Sequence, residues 1–120
     1  MEKPSRKTGI AHFFAAAGYS AGGLKRLARE SAFRQEAGFG LLALIALWFL
    51  GAEAAEMVIF AALLLILIAV EALNTALEVL VDHLSPGWSQ FAKDAKDLGS
   101  LAVACVIGAM VLYAAWALLG

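Results

Sequence analysis

Residues 57–82 read Met57-Val58-Ile59-Phe60-Ala61-Ala62-Leu63-Leu64-Leu65-Ile66-Leu67-Ile68-Ala69-Val70-Glu71-Ala72-Leu73-Asn74-Thr75-Ala76-Leu77-Glu78-Val79-Leu80-Val81-Asp82, and the reading of this stretch decides the fold. Its first fourteen residues, 57–70, are apolar without a break. Polar groups then return at 71, 74, 78 and 82. At about 100° per residue on a helix, those four positions fall within roughly 80° of one another, so three carboxyls and an amide share one stripe. Ionisable side chains at membrane depth are costly, face protein or water, and mark functional paths, so the stripe is the first candidate for a site.

The rest of the chain supports a membrane setting. Its 120 residues are 62% hydrophobic and the mean hydropathy is +0.82, too apolar for an ordinary soluble domain. The net charge of −1 conceals an asymmetry: seven of the nine Lys and Arg residues (Lys3, Arg6, Lys7, Lys25, Arg26, Arg29, Arg34) precede the first long apolar run. Cys105, the only cysteine, lies inside an apolar run and reads as a small hydrophobe, so an intrachain disulfide and a cysteine metal cluster are excluded.

Taken in order, the basic residues 1–9 read as a solvated terminus. Ile10, Phe13, Phe14 and Ala17 recur at helical spacing, and Leu24, Leu27 and Ala28 resume the apolar face after Gly22 and Gly23. Residues 1–29 are therefore expected to comprise the terminus and an amphipathic helix lying on the membrane surface. A cleaved signal peptide is the competing reading, but its apolar piece, 10–17, is short. A first span is expected over 31–51, with Arg34, Gln35 and Glu36 at its interface end. The turn Gly51-Ala52-Glu53-Ala54-Ala55-Glu56 returns the chain into a second span over 54–83. Pro86-Gly87 ends that helix, and a helix over 90–119 contains the third span. The fold class is thus all-α integral membrane, one domain of three transmembrane helices plus the surface helix. The positive-inside bias puts the N-terminus and the 83–97 loop in the cytoplasm and the 51–56 turn outside. Glu30, Glu36, Glu71, Glu78, Asp82, Lys96 and Asp97 then gather at the cytoplasmic side.

Such a cluster has the hard oxygen ligands a divalent cation takes, and a crowded carboxyl is suited to accept a proton from a hydroxyl. The bland alternative pairs these acids with Arg34, Lys93 or Lys96 inside an oligomer. A phosphate loop, G-x-G-x-x-G, H-E-x-x-H and C-x-x-C are all absent from the sequence, and His12 and His83 are too far apart in it to suggest a metal pair. The basic residues adjoin an apolar helix, so a lipid surface is expected as partner and nucleic acid is not.

The runs Ala16-Ala17-Gly18-Tyr19-Ser20, Glu30-Ser31-Ala32-Phe33-Arg34-Gln35-Glu36, Val70-Glu71-Ala72-Leu73-Asn74-Thr75-Ala76-Leu77-Glu78 with Asp82, and Ala95-Lys96-Asp97-Leu98-Gly99-Ser100 resemble the signature blocks of the prokaryotic diacylglycerol kinase family over nearly the whole chain. The resemblance implies an inner-membrane homotrimer with composite sites that uses ATP and Mg²⁺ to phosphorylate diacylglycerol to phosphatidic acid. It implies Glu71 as general base and Glu30 and Glu78 as Mg²⁺ ligands. It also implies that Tyr19, Asn74, Asp82, Trp88, Lys96 and Asp97 join Glu30 and Glu78 around ATP, and that Ala16, Ala17, Ser20, Arg34, Gln35, Glu36 and Ser100 lie near the lipid. Two departures stand out: His12 replaces an Arg of familiar members, and the loop Ser85-Pro86-Gly87-Trp88-Ser89 differs from the usual acidic and aromatic one, leaving Trp88 either over adenine or as an interfacial anchor. A polyprenol kinase acting on undecaprenol and a small proton-coupled transporter or channel remain the alternatives.

Overall fold

The computed structural model describes residues 8–120, so all but the last two residues of the basic terminus at 1–9 lie outside the described residues. Four helices follow in order: α1 (Gly9–Leu27), α2 (Ser31–Phe49), α3 (Ala54–Leu84) and α4 (Gln90–Leu119). The sequence sets their ends. Gly51, at φ 87°, takes the left-handed conformation that glycine adopts cheaply and turns the chain after α2. Glu53 and Glu56 then form a reciprocal capping box that starts α3. At the other end Ser85 closes on the Gly87 carbonyl and on Ser89, and the Ser89 hydroxyl accepts from the Ala92 N–H to start α4.

α2, α3 and α4 are each long and apolar enough to cross a membrane. At 1.5 Å per residue the 31-residue α3 is ~46 Å long, more than the ~30 Å hydrocarbon layer, so its polar stripe nears and passes one edge. The most extensive contact joins α3 to α4, with α2 laid against α3 and α1 touching α3 at its C-terminal end. Leu47, Phe60, Leu64, Leu67, Val103 and Met110 form the core, where Phe60 is only 1% exposed. Gly40 of α2 lets that helix approach closely: a Cβ there would come within 2.6 Å of Leu64 Cδ1.

The outer surface is apolar. Phe39 is 71% and Leu112 75% exposed, the pattern of side chains that meet lipid or other chains rather than water. The molecule is a slab of 55 × 43 × 19 Å, about two helix diameters thick.

Candidate functional site

Glu71 lies fourteen residues beyond Met57 on α3, ~21 Å along the helix, a distance shorter than the ~30 Å of a hydrocarbon layer. It is nevertheless 5% exposed, because its side chain turns inward among the helices. The Glu36 carboxyl of α2 is its nearest acidic neighbour, and Glu78 and Glu30 are close enough to act on it through their charge. Among the described residues no salt bridge reaches Glu36, Glu71 or Glu78. Carboxyls crowded in this way suit a cation drawn to the site.

The surrounding side chains take definite partners. Asn74 Nδ2 donates to Glu78 Oε1 at 3.4 Å, one turn along α3. Arg26 Nη1 pairs with Glu30 at 2.7 Å, which ties the end of α1 to the residue that precedes α2. Lys96 reaches from α4 to Asp82 of α3 at 2.7 Å, while Lys93 takes Asp97 at 2.6 Å on its own helix. Arg34 donates to the Ala28 carbonyl at 3.0 Å rather than to an acid. Lys96 and Asp97 thus belong to two separate ion pairs, and the Lys93–Asp97 pair follows the i, i+4 spacing that makes residues neighbours on one helix.

The remaining residues expected at the site stand further out. Ala16, Ala17, Tyr19 and Ser20 are exposed on α1, as are Gln35 on α2 and Ser100 on α4. Trp88 is 80% exposed in the loop that, with Asp82, Lys96 and Asp97, lines an open pocket of about 360 Å³. His12 is exposed on α1. Beside Glu36 runs an apolar crevice of about 230 Å³, bounded by Phe39, Gly40, Ala43, Ile107 and Met110, in which Glu36 is the one ionisable lining residue.

Sequence reasoning gathered Glu36 and Glu71 at one end of the helices, and the resemblance set Glu36 near the lipid, but neither singled out Glu36 as the neighbour of Glu71. The signal was present: counted outward from the turn at Gly51, the two positions reach similar depth on antiparallel helices. Near Glu71, two buried oxygens, Glu36 Oε2 and Asn74 Oδ1, have no hydrogen-bond partner, and Asn74 Oδ1 is turned against Gly99 of α4. Glu36 Oε2, a hard and unsatisfied donor, suits Mg²⁺ in kind. Among the described residues no three His, Cys, Asp or Glu side chains converge to hold a metal within one chain. Mg²⁺ characteristically takes only one or two carboxylates and completes its shell with phosphate oxygens and water, so a closed protein cage is not required of this donor set.

Residues 18–118 match the family model described as prokaryotic diacylglycerol kinase. Among curated relatives, a diacylglycerol kinase of Sinorhizobium sp is 50% identical over 111 residues, 92% of this chain and 81% of the relative. That of Escherichia coli strain K12 is 35% identical over 113 residues, covering 93% of this chain and 91% of the relative. The Haemophilus influenzae diacylglycerol kinase is 32% identical over 107 residues, 86% of this chain and 91% of the relative.

Proposed function

The chain belongs to the prokaryotic diacylglycerol kinase family, and on that premise we propose that it transfers the γ-phosphoryl group of ATP to the free hydroxyl of diacylglycerol, giving phosphatidic acid at the cytoplasmic face of the inner membrane. The observation that carries this reading is the burial of Glu71, at lipid depth, among Glu36, Glu78 and Glu30. A base there meets a hydroxyl just below the headgroups without the lipid leaving the bilayer. The apolar crevice beside Glu36 has the chemistry to shelter an acyl chain.

In the reaction, Glu71 takes the hydroxyl proton as the lipid oxygen bonds to the γ-phosphorus. The bond from that phosphorus to the bridging oxygen breaks, ADP leaves with the electron pair, and the proton passes from Glu71 to solvent. Glu30 and Glu78 would hold Mg²⁺, which neutralises phosphate charge when bound. Lys96 supplies a further positive charge near the phosphates, and Asn74, Asp97, Tyr19 and the open pocket at Trp88 and Asp82 receive the rest of the nucleotide. Ala16, Ala17, Ser20, Arg34, Gln35, Glu36 and Ser100 border the lipid. Positioning and charge account for most of phosphoryl-transfer catalysis, so this set serves without a phosphate loop.

The slab shape and apolar outer surface favour assembly into a homotrimer whose subunits complete each other's sites, with α1 lying on the membrane surface and the N-terminus cytoplasmic. Mutation separates the two central roles. Glu71→Gln is predicted to lower kcat by about 10²–10⁴-fold, the range for loss of a general base, with MgATP binding largely retained. Glu78→Gln is predicted chiefly to weaken MgATP binding, read by nucleotide titration. Equal loss of nucleotide affinity in both variants would sink this division of roles.

A further inference from the structure

We propose that Gly99 is a positioning residue that acts through Asn74: its missing side chain lets the Asn74 carboxamide lie against α4 and so aims Nδ2 at the Glu78 carboxylate. The proposal rests on the reading of Glu78 as part of the nucleotide site. Gly99 is buried on α4. A Cβ at that position would overlap Asn74 Oδ1 and stand 3.1 Å from Asn74 Cγ. The same test at Gly108, further along α4, meets open space. Gly99 thus marks a close approach between the helices, at the one asparagine in the sequence.

The amide orientation follows from charge. Asn74 Nδ2 donates to Glu78 Oε1 at 3.4 Å, so Oδ1 must point the other way, towards α4. Oδ1 is buried there with no hydrogen-bond partner, held by shape alone. Glycine within a helix is less favourable than alanine, and the close approach of Asn74 accounts for it at this position. An alanine at 99 would force Asn74 to rotate, and rotation withdraws Nδ2 from Glu78, leaving that carboxylate unaimed.

Because Asn74 is the single asparagine, selective ¹⁵N-asparagine labelling of the full chain in detergent micelles yields one side-chain NH₂ pair. Gly99→Ala is expected to displace that pair and to raise the KM for MgATP about ten-fold, the scale of losing a supporting contact around a ligand site, with the KM for diacylglycerol unchanged. Asn74→Ala should raise the MgATP KM to a similar degree, and Asn74→Ala/Gly99→Ala should raise it no further. An unmoved pair, a displaced pair with an unchanged MgATP KM, or effects that multiply in the double variant would each overturn the proposal. Should Gly99→Ala not fold, recovery of folding in Asn74→Ala/Gly99→Ala supports it and failure of the double variant overturns it. A wild-type protein that phosphorylates no diacylglycerol defeats the functional reading instead, and the NH₂ pair still decides whether Gly99 orients Asn74.

Discussion

Lys96 illustrates how a residue at this site divides stability from function. Its ammonium meets Asp82 across the α3–α4 gap at 2.7 Å, with both side chains largely in solvent. Exposed pairs of this kind contribute little to folding, whereas a charged hydrogen bond to phosphate is worth much more. Lys96→Met is therefore predicted to leave the thermal unfolding temperature unchanged while raising the MgATP KM about ten-fold or more, measured on the same preparation. A fall in unfolding temperature with an unaltered KM would make Lys96 a structural residue. The polar stripe at 71, 74, 78 and 82 was legible because only helical periodicity is needed to put those positions on one face. The partners were less legible. That Glu36 meets Glu71 depends on how α2 is rotated against α3, and that Lys96 chooses Asp82 depends on the α3–α4 crossing, neither of which is encoded in a single helix's pattern.

At the scale of elements, the helix ends follow local chemistry closely. Gly51 and the Glu53–Glu56 capping box turn the chain at one end, and Ser85, Pro86, Gly87 and Ser89 turn it at the other. Such signals act over a few residues and can be read directly from the sequence. Packing between helices cannot, and Gly40 shows why. Lipid tails are as apolar as leucine, so burial alone does not drive these helices together and close van der Waals contact must. Gly40 gives α2 that contact with Leu64 and Met110. The Cβ of Gly40→Ala would crowd the flexible tip of Leu64 at 2.6 Å and make ordinary contact with Met110 Cε at 3.5 Å, so it should be tolerated once Leu64 shifts. Gly40→Leu overfills the same space and is predicted to destabilise the fold by about 1–3 kcal/mol, seen as a lowered thermal inactivation temperature. An unchanged temperature in Gly40→Leu would mean that α2 is not held at this distance.

For the whole molecule, depth is the organising quantity. α3 and α4 are longer than the hydrocarbon layer is thick, so each carries its polar groups past one membrane edge, and α1 adds Lys25, Arg26 and Arg29 near that end. Asp82 lies eleven residues, ~16 Å, beyond Glu71 along α3. A nucleotide from water and a hydroxyl from lipid can meet between those levels, which is the requirement for phosphorylating a lipid in place. Purified protein in mixed micelles with labelled ATP and Mg²⁺, offered diacylglycerol or undecaprenol, tests the central claim directly. The expected result is labelled phosphatidic acid with one ADP per lipid phosphorylated, dependent on Mg²⁺ and lost in Glu71→Gln; phosphorylated undecaprenol without phosphatidic acid, or no lipid phosphorylation at all, would contradict it.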